Sequence, residues 1–237
     1  MRHSLLSNRL RTLILAALVA LAVLGLALPA PVVAQSAIPL APFRAVTLRG
    51  GGKVTLSYAP IQRVTLLKGS SKYTGVAIAE DGRLVIDRCQ SECPKGYELE
   101  VEVLAPDLLD IMVSDGGTIE SRGSFPRQAE LGVAVGDGGT IDLRSMTVDF
   151  VEAAVHDGGR IFAKPQRGLV AKIARGGVIT YWGHPHVTSS VEQGGVVARG
   201  TAAAADRSLA EFGPAGPAVP AVPVVPPLPP IRVRRSM

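Results

Sequence analysis

Aromatic side chains are scarce in this chain of 237 residues, since phenylalanine, tryptophan and tyrosine together make up 4% of it. Sites that cleave sugar chains usually gather several aromatic rings for stacking, so this scarcity argues against such an enzyme. The sequence also lacks a Gly-x-Ser-x-Gly nucleophile elbow and a phosphate-cradling loop. We therefore expect a protein that is not an enzyme and needs no cofactor.

Cysteine is nearly absent, with Cys89 and Cys93 as the two copies. In an extended strand their Cα atoms would lie about 13 Å apart, beyond the ~7 Å limit for a disulfide, so a bond requires the chain to turn between them. The stretch "CQSECPKG" has the composition of a turn, and an oxidising compartment favours pairing. Two unpaired thiols in a loop are the alternative. The spacing predicts no metal site, because a second pair of ligands is missing nearby.

Long hydrophobic runs are limited to the first residues. An apolar run spans residues 13–28, follows three arginines and ends before Pro29 and a small-residue site at Ala34. The run is shorter than the ~20 residues that span a bilayer, which favours a signal peptide over residues 1–34, cleaved after Ala34, rather than a retained N-terminal helix. No later run is long enough for a transmembrane segment. We expect an exported protein, located in the periplasm, at the cell surface or outside the cell.

Charge of one sign is not concentrated in the part expected to fold. The chain has a formal charge of +5, but three basic residues lie in the predicted signal peptide and three more in the last six residues, Arg232, Arg234 and Arg235. Residues 35–212 hold nearly equal numbers of basic and acidic side chains. A neutral domain does not have the positive field that nucleic acid requires, so we expect no nucleic-acid partner.

What the sequence does contain is a repeat. Asp-Gly-Gly occurs at Asp115, Asp137 and Asp157, and Arg175 and Gln193 take the Asp position before two later Gly-Gly pairs. The successive spacings are 22, 20, 18 and 18 residues. The paired glycines are Gly116 and Gly117, Gly138 and Gly139, Gly158 and Gly159, Gly176 and Gly177, and Gly194 and Gly195.

Apolar or small residues keep fixed places around these pairs. Two before the Asp position stand Val113, Val135, Val155, Ile173 and Val191; four before it Ile111, Val133, Ala153, Ala171 and Ser189; six before it Leu109, Leu131, Val151, Leu169 and Val187; and four after it Ile119, Ile141, Ile161, Ile179 and Val197. This period of two predicts strands with one buried face. Repeats this short cannot bury that face alone, so we expect them to stack in parallel as a β-solenoid. An antiparallel sandwich is the rival interpretation.

The Gly pair is interpreted as a sharp corner between two sheets, because glycine adopts positive φ and lets another backbone come close. The preceding aspartate is expected to accept a hydrogen bond from the backbone two residues on. Arg175 and Gln193 in the same position indicate that the charge itself is dispensable.

An earlier stretch is less regular. "FRAVTLRGGGKVTLSY" already has a glycine corner and predicts a first rung, and "YTGVAIAEDGRLVIDRC" predicts a hairpin around Asp81 and Gly82. "YELEVEVLAP" predicts a strand with its acidic residues outward. We expect this region to cap the N-terminal end of the stack.

These motifs, together with "VEVLAPDLLDIMVSDGGTIES" and the Tyr-x-Gly-x-Pro-x-Val element at Tyr181, Gly183, Pro185 and Val187, resemble the bacterial GIN-domain family, the head domain of proposed auto-transporter adhesins. The resemblance covers residues 43–200. It implies an exported, right-handed, single-stranded β-helix without established catalytic activity. The chain departs from the family in using Asp-Gly-Gly where corners of the Ser-Gly-x-Gly type are usual, and no catalytic residue is carried over.

Two candidate sites follow from the residues. Asp115, Asp137 and Asp157 could form a ladder with neighbours about 4.8 Å apart, close to the spacing of a retaining glycosidase pair, although a structural corner is favoured over catalysis. Calcium on this ladder is another alternative, but in the calcium-binding nonapeptide the Asp follows the glycines. A possible surface contact is formed by Trp182, His184 and His186, where two imidazoles make only half of a zinc site.

The sequence thus predicts a signal peptide (1–34), an all-β GIN-like solenoid (35–212) and a proline-rich tail (213–237). The tail, with eight prolines, is expected to be a stiff spacer without a packed core. Its Pro227-x-x-Pro230-x-Arg232 stretch could bind an aromatic-grooved domain, which is the less favoured interpretation. The expected partner is an unknown envelope protein or glycan, and a homo-oligomeric envelope component is an alternative.

The cleavage site can be tested directly. Expressed with its leader in an exporting bacterium, the protein should accumulate outside the cytoplasm with Gln35 as its first residue, because a small residue at position 34 is what the signal peptidase accepts. N-terminal sequencing or intact mass checks this, and Ala34→Arg should block processing. An uncut chain in the membrane fraction would instead support the retained helix.

Overall fold

The computed structural model describes residues 36–201, and within them the chain is all-β, with strands but no helix. The strands form two open sheets, one of nine strands and one of eight. No helix in this part of the chain is long and apolar enough to cross a bilayer. The predicted signal peptide, the cleavage site at Ala34 and the proline-rich tail lie outside the described residues.

The strands in chain order are β1 (Ser36–Ile38), β2 (Ala45–Arg49), β3 (Lys53–Tyr58), β4 (Arg63–Lys68), β5 (Gly75–Ile78), β6 (Arg83–Asp87), β7 (Glu100–Ala105), β8 (Asp110–Ser114), β9 (Thr118–Arg122), β10 (Gln128–Asp137), β11 (Thr140–Asp142), β12 (Val148–Asp157), β13 (Arg160–Ala163), β14 (Pro165–Arg175), β15 (Val178–Tyr181), β16 (His186–Gln193) and β17 (Val196–Arg199). The nine-stranded sheet has the order β1-β4-β7-β3-β9-β11-β13-β15-β17, and the eight-stranded sheet β16-β14-β12-β10-β8-β2-β6-β5.

Each Gly-Gly repeat gives one strand to each sheet, and successive repeats pair in parallel. The predicted columns are confirmed as register partners: Val113, Val135, Val155, Ile173 and Val191 lie opposite one another in turn, as do Ile119, Ile141, Ile161, Ile179 and Val197. The members from the earlier repeats are fully buried in one core between the sheets. The parallel pairing rules out the antiparallel sandwich for this region.

Three members of the predicted columns are exposed instead of buried. Ser189 and Val191 lie on β16, the edge strand of the eight-stranded sheet, and the third is Leu109. Leu109 was expected in the core, but it is exposed, and Leu108 is buried in its stead. Strand β8 begins only at Asp110, so the alternation of inward and outward side chains does not yet apply at Leu109. The turn that starts at Pro106 therefore shifts the phase by one residue.

The N-terminal region is arranged differently from the predicted order. Strands β2 and β3 are not the first rung: β2 lies between β6 and β8, and β3 lies between β7 and β9. The hairpin around Asp81 and Gly82 is confirmed, with β5 antiparallel to β6 at the edge of the sheet. Strand β4 pairs antiparallel with β7, whose glutamates point outward as expected. Antiparallel strands thus cover this end of the stack.

The two glycines of a corner serve different purposes. Gly138 has φ of +70° with open space around it, whereas Gly139 has φ of +96° and a Cβ added there would lie 2.6 Å from Cγ1 of Val113. The second glycine therefore lets the corner pack directly on the core column of the preceding repeat. An added Cβ would likewise come within 3.0 Å of the side chain of Val135, Val155 or Ile173 at Gly159, Gly177 and Gly195, and of Leu48 on β2 at Gly117.

The corners are joined by main-chain hydrogen bonds. The Gly138 N–H donates to the carbonyl oxygen of Asp157 at 2.9 Å, and the Arg160 N–H donates to the carbonyl oxygen of Gly139 at 2.9 Å. The same pair of bonds recurs between the later corners. A bond of the expected kind, from a main-chain N–H to the side chain of the aspartate two residues earlier, occurs at Asp81 and at Asp142. Because backbone atoms form the ladder, Arg175 and Gln193 fit equally well.

The distinction between the two glycines is testable. Gly138→Ala should lower the free energy of unfolding by about 1 kcal/mol, the cost of a left-handed φ at a residue with Cβ. Gly139→Ala adds a clash with Val113 and should cost about 3 kcal/mol or more. Denaturant unfolding of both variants measures the difference. Equal costs would contradict the close packing of Gly139 on the preceding repeat.

Candidate binding surface

The outer face of the eight-stranded sheet has many small side chains. We define this outer face by the outward-pointing residues of β8, β10, β12, β14 and β16. Several of these side chains are small, so the main chain of the sheet is close to its surface. The small residues are Gly132, Ala134, Gly136, Ala154, Gly168 and Ala174.

A depression of about 620 Å³ lies over the first half of these strands. Phe150 stands in it and is 53% exposed. Its ring lies across its register partner Gly168, where an added Cβ would be 2.7 Å from Cδ1 of the ring. Leu109 and Val170 are also exposed here. Large apolar side chains on a small-residue floor form a patch of the kind used in recognition.

The depression continues along the same strands. A second hollow of about 400 Å³ is lined by Met112, Ala134, Ala154, His156 and Lys172, among others. A third of about 530 Å³ shares Met112 and extends to Arg83 and Thr47 on the neighbouring strands. The outer face thus has three shallow, open hollows side by side, which together are called the trough.

The charges around the trough are largely paired. Lys172 Nζ lies 2.8 Å from Glu152 Oε1, and Arg83 Nη2 lies 2.6 Å from Asp110 Oδ2. The hydrogen bond that Arg83 donates to the Asp110 carboxylate raises the pKa of Arg83 above its usual range, so this guanidinium stays charged at any physiological pH. With both signs interspersed, the trough has no strong field of either sign.

The three aspartates of the predicted ladder have different surroundings. Asp137 and Asp157 are register partners, and Asp157 Oδ2 lies 3.1 Å from Nη2 of Arg175 in the next repeat. Asp115 differs because its φ is +60°, the one positive φ at a non-glycine residue in the described chain. Within residues 36–201 no group of three or more His, Cys, Asp or Glu side chains is placed to hold a metal ion.

The predicted contact at Trp182, His184 and His186 is divided between the two sheets. Trp182 is half-buried, with its ring near Phe162 and the Arg144 guanidinium 5.5 Å from its ring. His184 Nε2 lies 2.5 Å from Nη2 of Arg199 on β17. His186 begins β16 and lines the depression around Phe150. His186 is therefore the one member of this trio at the trough.

The predicted disulfide is confirmed and lies outside the trough. Cys89 and Cys93 are bonded, with their Cα atoms 6.0 Å apart, in the loop that joins β6 to β7. This loop replaces the glycine corner in that rung. Arg88 anchors it through a hydrogen bond from Nε to the carbonyl oxygen of Tyr97 at 3.1 Å, and the Ser70 N–H donates to the Tyr97 hydroxyl at 2.6 Å.

The main residues of the trough, Phe150, Met112 and Val170, were missed by the sequence analysis. The repeat columns followed only the inward positions, and these three occupy outward ones. A signal was present, since the positions three and five before the Asp position hold Ala134, Ala154 and Gly132 in a strand pattern where polar side chains are expected.

The family model described as "Putative auto-transporter adhesin, head GIN domain" matches residues 42–164. Among solved structures, a putative adhesin from Bacteroides fragilis is 16% identical, with 72% of this chain and 97% of that chain covered and a TM-score of 0.39. A putative cell adhesion protein from Clostridium sporogenes is 12% identical, with 70% and 98% covered and a TM-score of 0.36. A putative lipid binding protein from Parabacteroides distasonis is 15% identical, with 70% and 96% covered and a TM-score of 0.29. No curated protein matches the chain.

Backbone geometry at the ladder gives a matched pair of variants. Asp115→Gly should leave stability unchanged or raise it by up to about 1 kcal/mol, because glycine adopts positive φ without strain. Asp137→Gly, whose φ is ordinary, should lower it by about 0.5–1 kcal/mol. Thermal or denaturant unfolding compares the two. Destabilisation by Asp115→Gly alone would mean that the carboxylate of Asp115 holds the corner.

Proposed function

Because the chain belongs to the family described as "Putative auto-transporter adhesin, head GIN domain", we propose that it is an exported, non-enzymatic β-solenoid that binds a component of the cell envelope. The order of domains would be signal peptide (1–34), solenoid (35–212) and proline-rich tail (213–237). The parallel register of the repeats and the corner between each pair of strands support the coiled arrangement.

The observation that carries the binding role is Phe150 on the outer face. A phenylalanine ring that is half-exposed on a strand loses contact with water only when a ligand covers it, and covering it releases free energy. Gly168 leaves room for the ring, since an added Cβ there would lie 2.7 Å from Cδ1 of Phe150. Preorganised aromatic side chains of this kind are frequent hot spots of recognition.

A glycan chain fits this surface best. The trough is open and elongated, its charges are paired, and its polar rim includes Glu130, Arg167 and His186 around one exposed ring. Such a surface suits a ligand with apolar ring faces and many hydroxyl groups, whereas a polyanion would need unpaired positive charge. An envelope protein is the other partner class, and the experiment below separates the two.

The test is a binding scan of the exported protein over cell-wall and surface polysaccharides. Phe150→Ala should weaken binding by at least about tenfold, equivalent to ~1.4 kcal/mol, because the stacking ring is removed. Tyr58→Ala is the matched control, since Tyr58 is an exposed aromatic residue at the end of β3 in the other sheet and should not affect binding. Both variants should keep the wild-type unfolding temperature.

Three results would count against the proposal. The protein could bind no polysaccharide but capture one envelope protein, and Phe150→Ala could abolish that capture. The trough would then bind a protein partner instead of a glycan. If Phe150→Ala and Tyr58→Ala weakened polysaccharide binding equally, the outer face would not be the binding site. Release of new sugar ends from a bound polysaccharide, lost in Asp137→Asn, would show an enzyme.

A further inference from the structure

The described part of the two sheets ends in four edge strands, and three of them are short. Strands β1, β5 and β17 have three, four and four residues, whereas β16 has eight. Among the described residues β16 pairs only with β14, and the register between them is regular throughout. Edge strands are usually blunted by proline, lysine, a bulge or short length, and β16 has none of these features. In residues 36–201 one long edge is therefore open to pairing.

The inward side chains of β16 continue the core columns at this edge. Val187 is half-buried and packs against the core, and Val191 is 42% exposed. Their register partners on β14, Leu169 and Ile173, are each only 1% exposed. Ser189 lies between the two valines on the same face, because side chains alternate along a strand. These inward positions carry no charge, although an inward charge is a common means of preventing an edge from pairing.

The sequence of β16 is complementary to itself when two copies of the strand run antiparallel. Opposite residues of such a pair share one face of the sheet, so inward residues must lie opposite inward residues. In the register centred on Ser189, Val187 lies opposite Val191 of the second copy, and symmetry repeats this contact. The two neighbouring registers, centred on Thr188 or Ser190, would instead place a valine opposite Ser189. The register centred on Ser189 is therefore the one that pairs both valines.

The outward side chains match in the same register. His186 lies opposite Glu192 of the second copy, so that an imidazole N–H can donate to the carboxylate. Thr188 lies opposite Ser190, and two hydroxyl groups on opposite strands can hydrogen-bond to each other. All but one of the eight residues of β16 are paired in this way. A strand that matches itself on both faces fits a second copy of this chain better than an unrelated strand.

We propose that two copies of the chain associate through β16, antiparallel around Ser189, to form a closed dimer. The two-fold axis is perpendicular to the eight-stranded sheet and passes through Ser189, so the two sheets become continuous. Val187 of each copy covers Val191 of the other, and the aliphatic columns continue across the junction. The opposite end of the stack finishes in the short antiparallel strands β1 and β5, which offer no equivalent edge to a third copy.

The dimer places both outer faces on the same side of the joined sheet, because the two-fold axis is perpendicular to it. Phe150 on β12 is two strands away from the junction in each copy. With neighbouring strands about 4.8 Å apart, the two rings are separated by about 24 Å across the strands. A polymer that reaches both troughs would be held by two contacts at once. The dimer itself depends on β16 and not on the ligand of the trough.

The mass of the full exported protein in solution tests the association. Sedimentation at micromolar concentrations should give twice the mass of one chain. Val191→Asp should raise the dissociation constant at least about tenfold, because it buries a charge against Val187 of the second copy. Ser190→Asp is the matched control, since it adds the same charge on the outward face, where Lys172 is its register partner, and should leave the dimer intact. Circular dichroism should show the same sheet content in all three proteins.

Two single-cysteine variants test the register. Ser189→Cys should form a disulfide between two copies, because opposite residues have Cα atoms about 5.5 Å apart or less, within the ~7 Å limit. Ser190→Cys should not, because Ser190 lies opposite Thr188 and diagonal to its own counterpart, at about 8 Å. Non-reducing electrophoresis of the exported proteins compares the two variants.

Four results would overturn the proposal. The first is a mass of one chain at every concentration, and protected β16 amides in hydrogen exchange would then mean that another part of the same chain covers the edge. The second is a dimer that Val191→Asp leaves intact, which would place the contact elsewhere. The third is equal cross-linking of Ser189→Cys and Ser190→Cys, which would exclude this register. The fourth is a mass that keeps rising with concentration, which would show an open assembly.

Discussion

The close packing of each corner's second glycine on an aliphatic side chain of the neighbouring rung determines the rest of the structure. At Gly139 the absence of a side chain lets the backbone contact Val113, and the carbonyl oxygen of Gly139 then meets the N–H of Arg160 in the next corner. Every repeat is thereby held at the same height as its neighbours. The aliphatic columns of both sheets fall into register as a consequence, and the core between the sheets is continuous.

Because the core is filled by the inward side chains, the outward positions can vary without changing the packing between the sheets. Inward side chains must fill equivalent places, but outward side chains along β10, β12 and β14 contact only their neighbours across the sheet. In this chain several outward positions hold glycine or alanine, and one holds Phe150. The backbone, rather than a deep cavity, therefore shapes the trough, and its width follows from the strand spacing.

The inward columns could be predicted from the sequence because a period of two and a fixed repeat length each leave a strong pattern. The exception, Leu109, precedes the first residue of β8, where the pattern has no meaning. The position of β2 between β6 and β8 could not be predicted, since a pairing of strands out of chain order has no local signal. At the aspartates the sequence identifies the corner but not which atoms bond there. Phe150 was overlooked because exposure depends on neighbouring strands.

The placement of β2 and β3 within the stack has a consequence for how such a chain can change in length during evolution. Repeats from β10 onward each contact only the one before and the one after, so copying or deleting one of them leaves all other contacts intact. At the opposite side, β6 and β7 reach their places only after the chain has passed outward beyond β2 and β3 and returned. Insertion there would separate strands that are already paired. Family members of different size should therefore differ in the number of C-terminal repeats and share a constant N-terminal half.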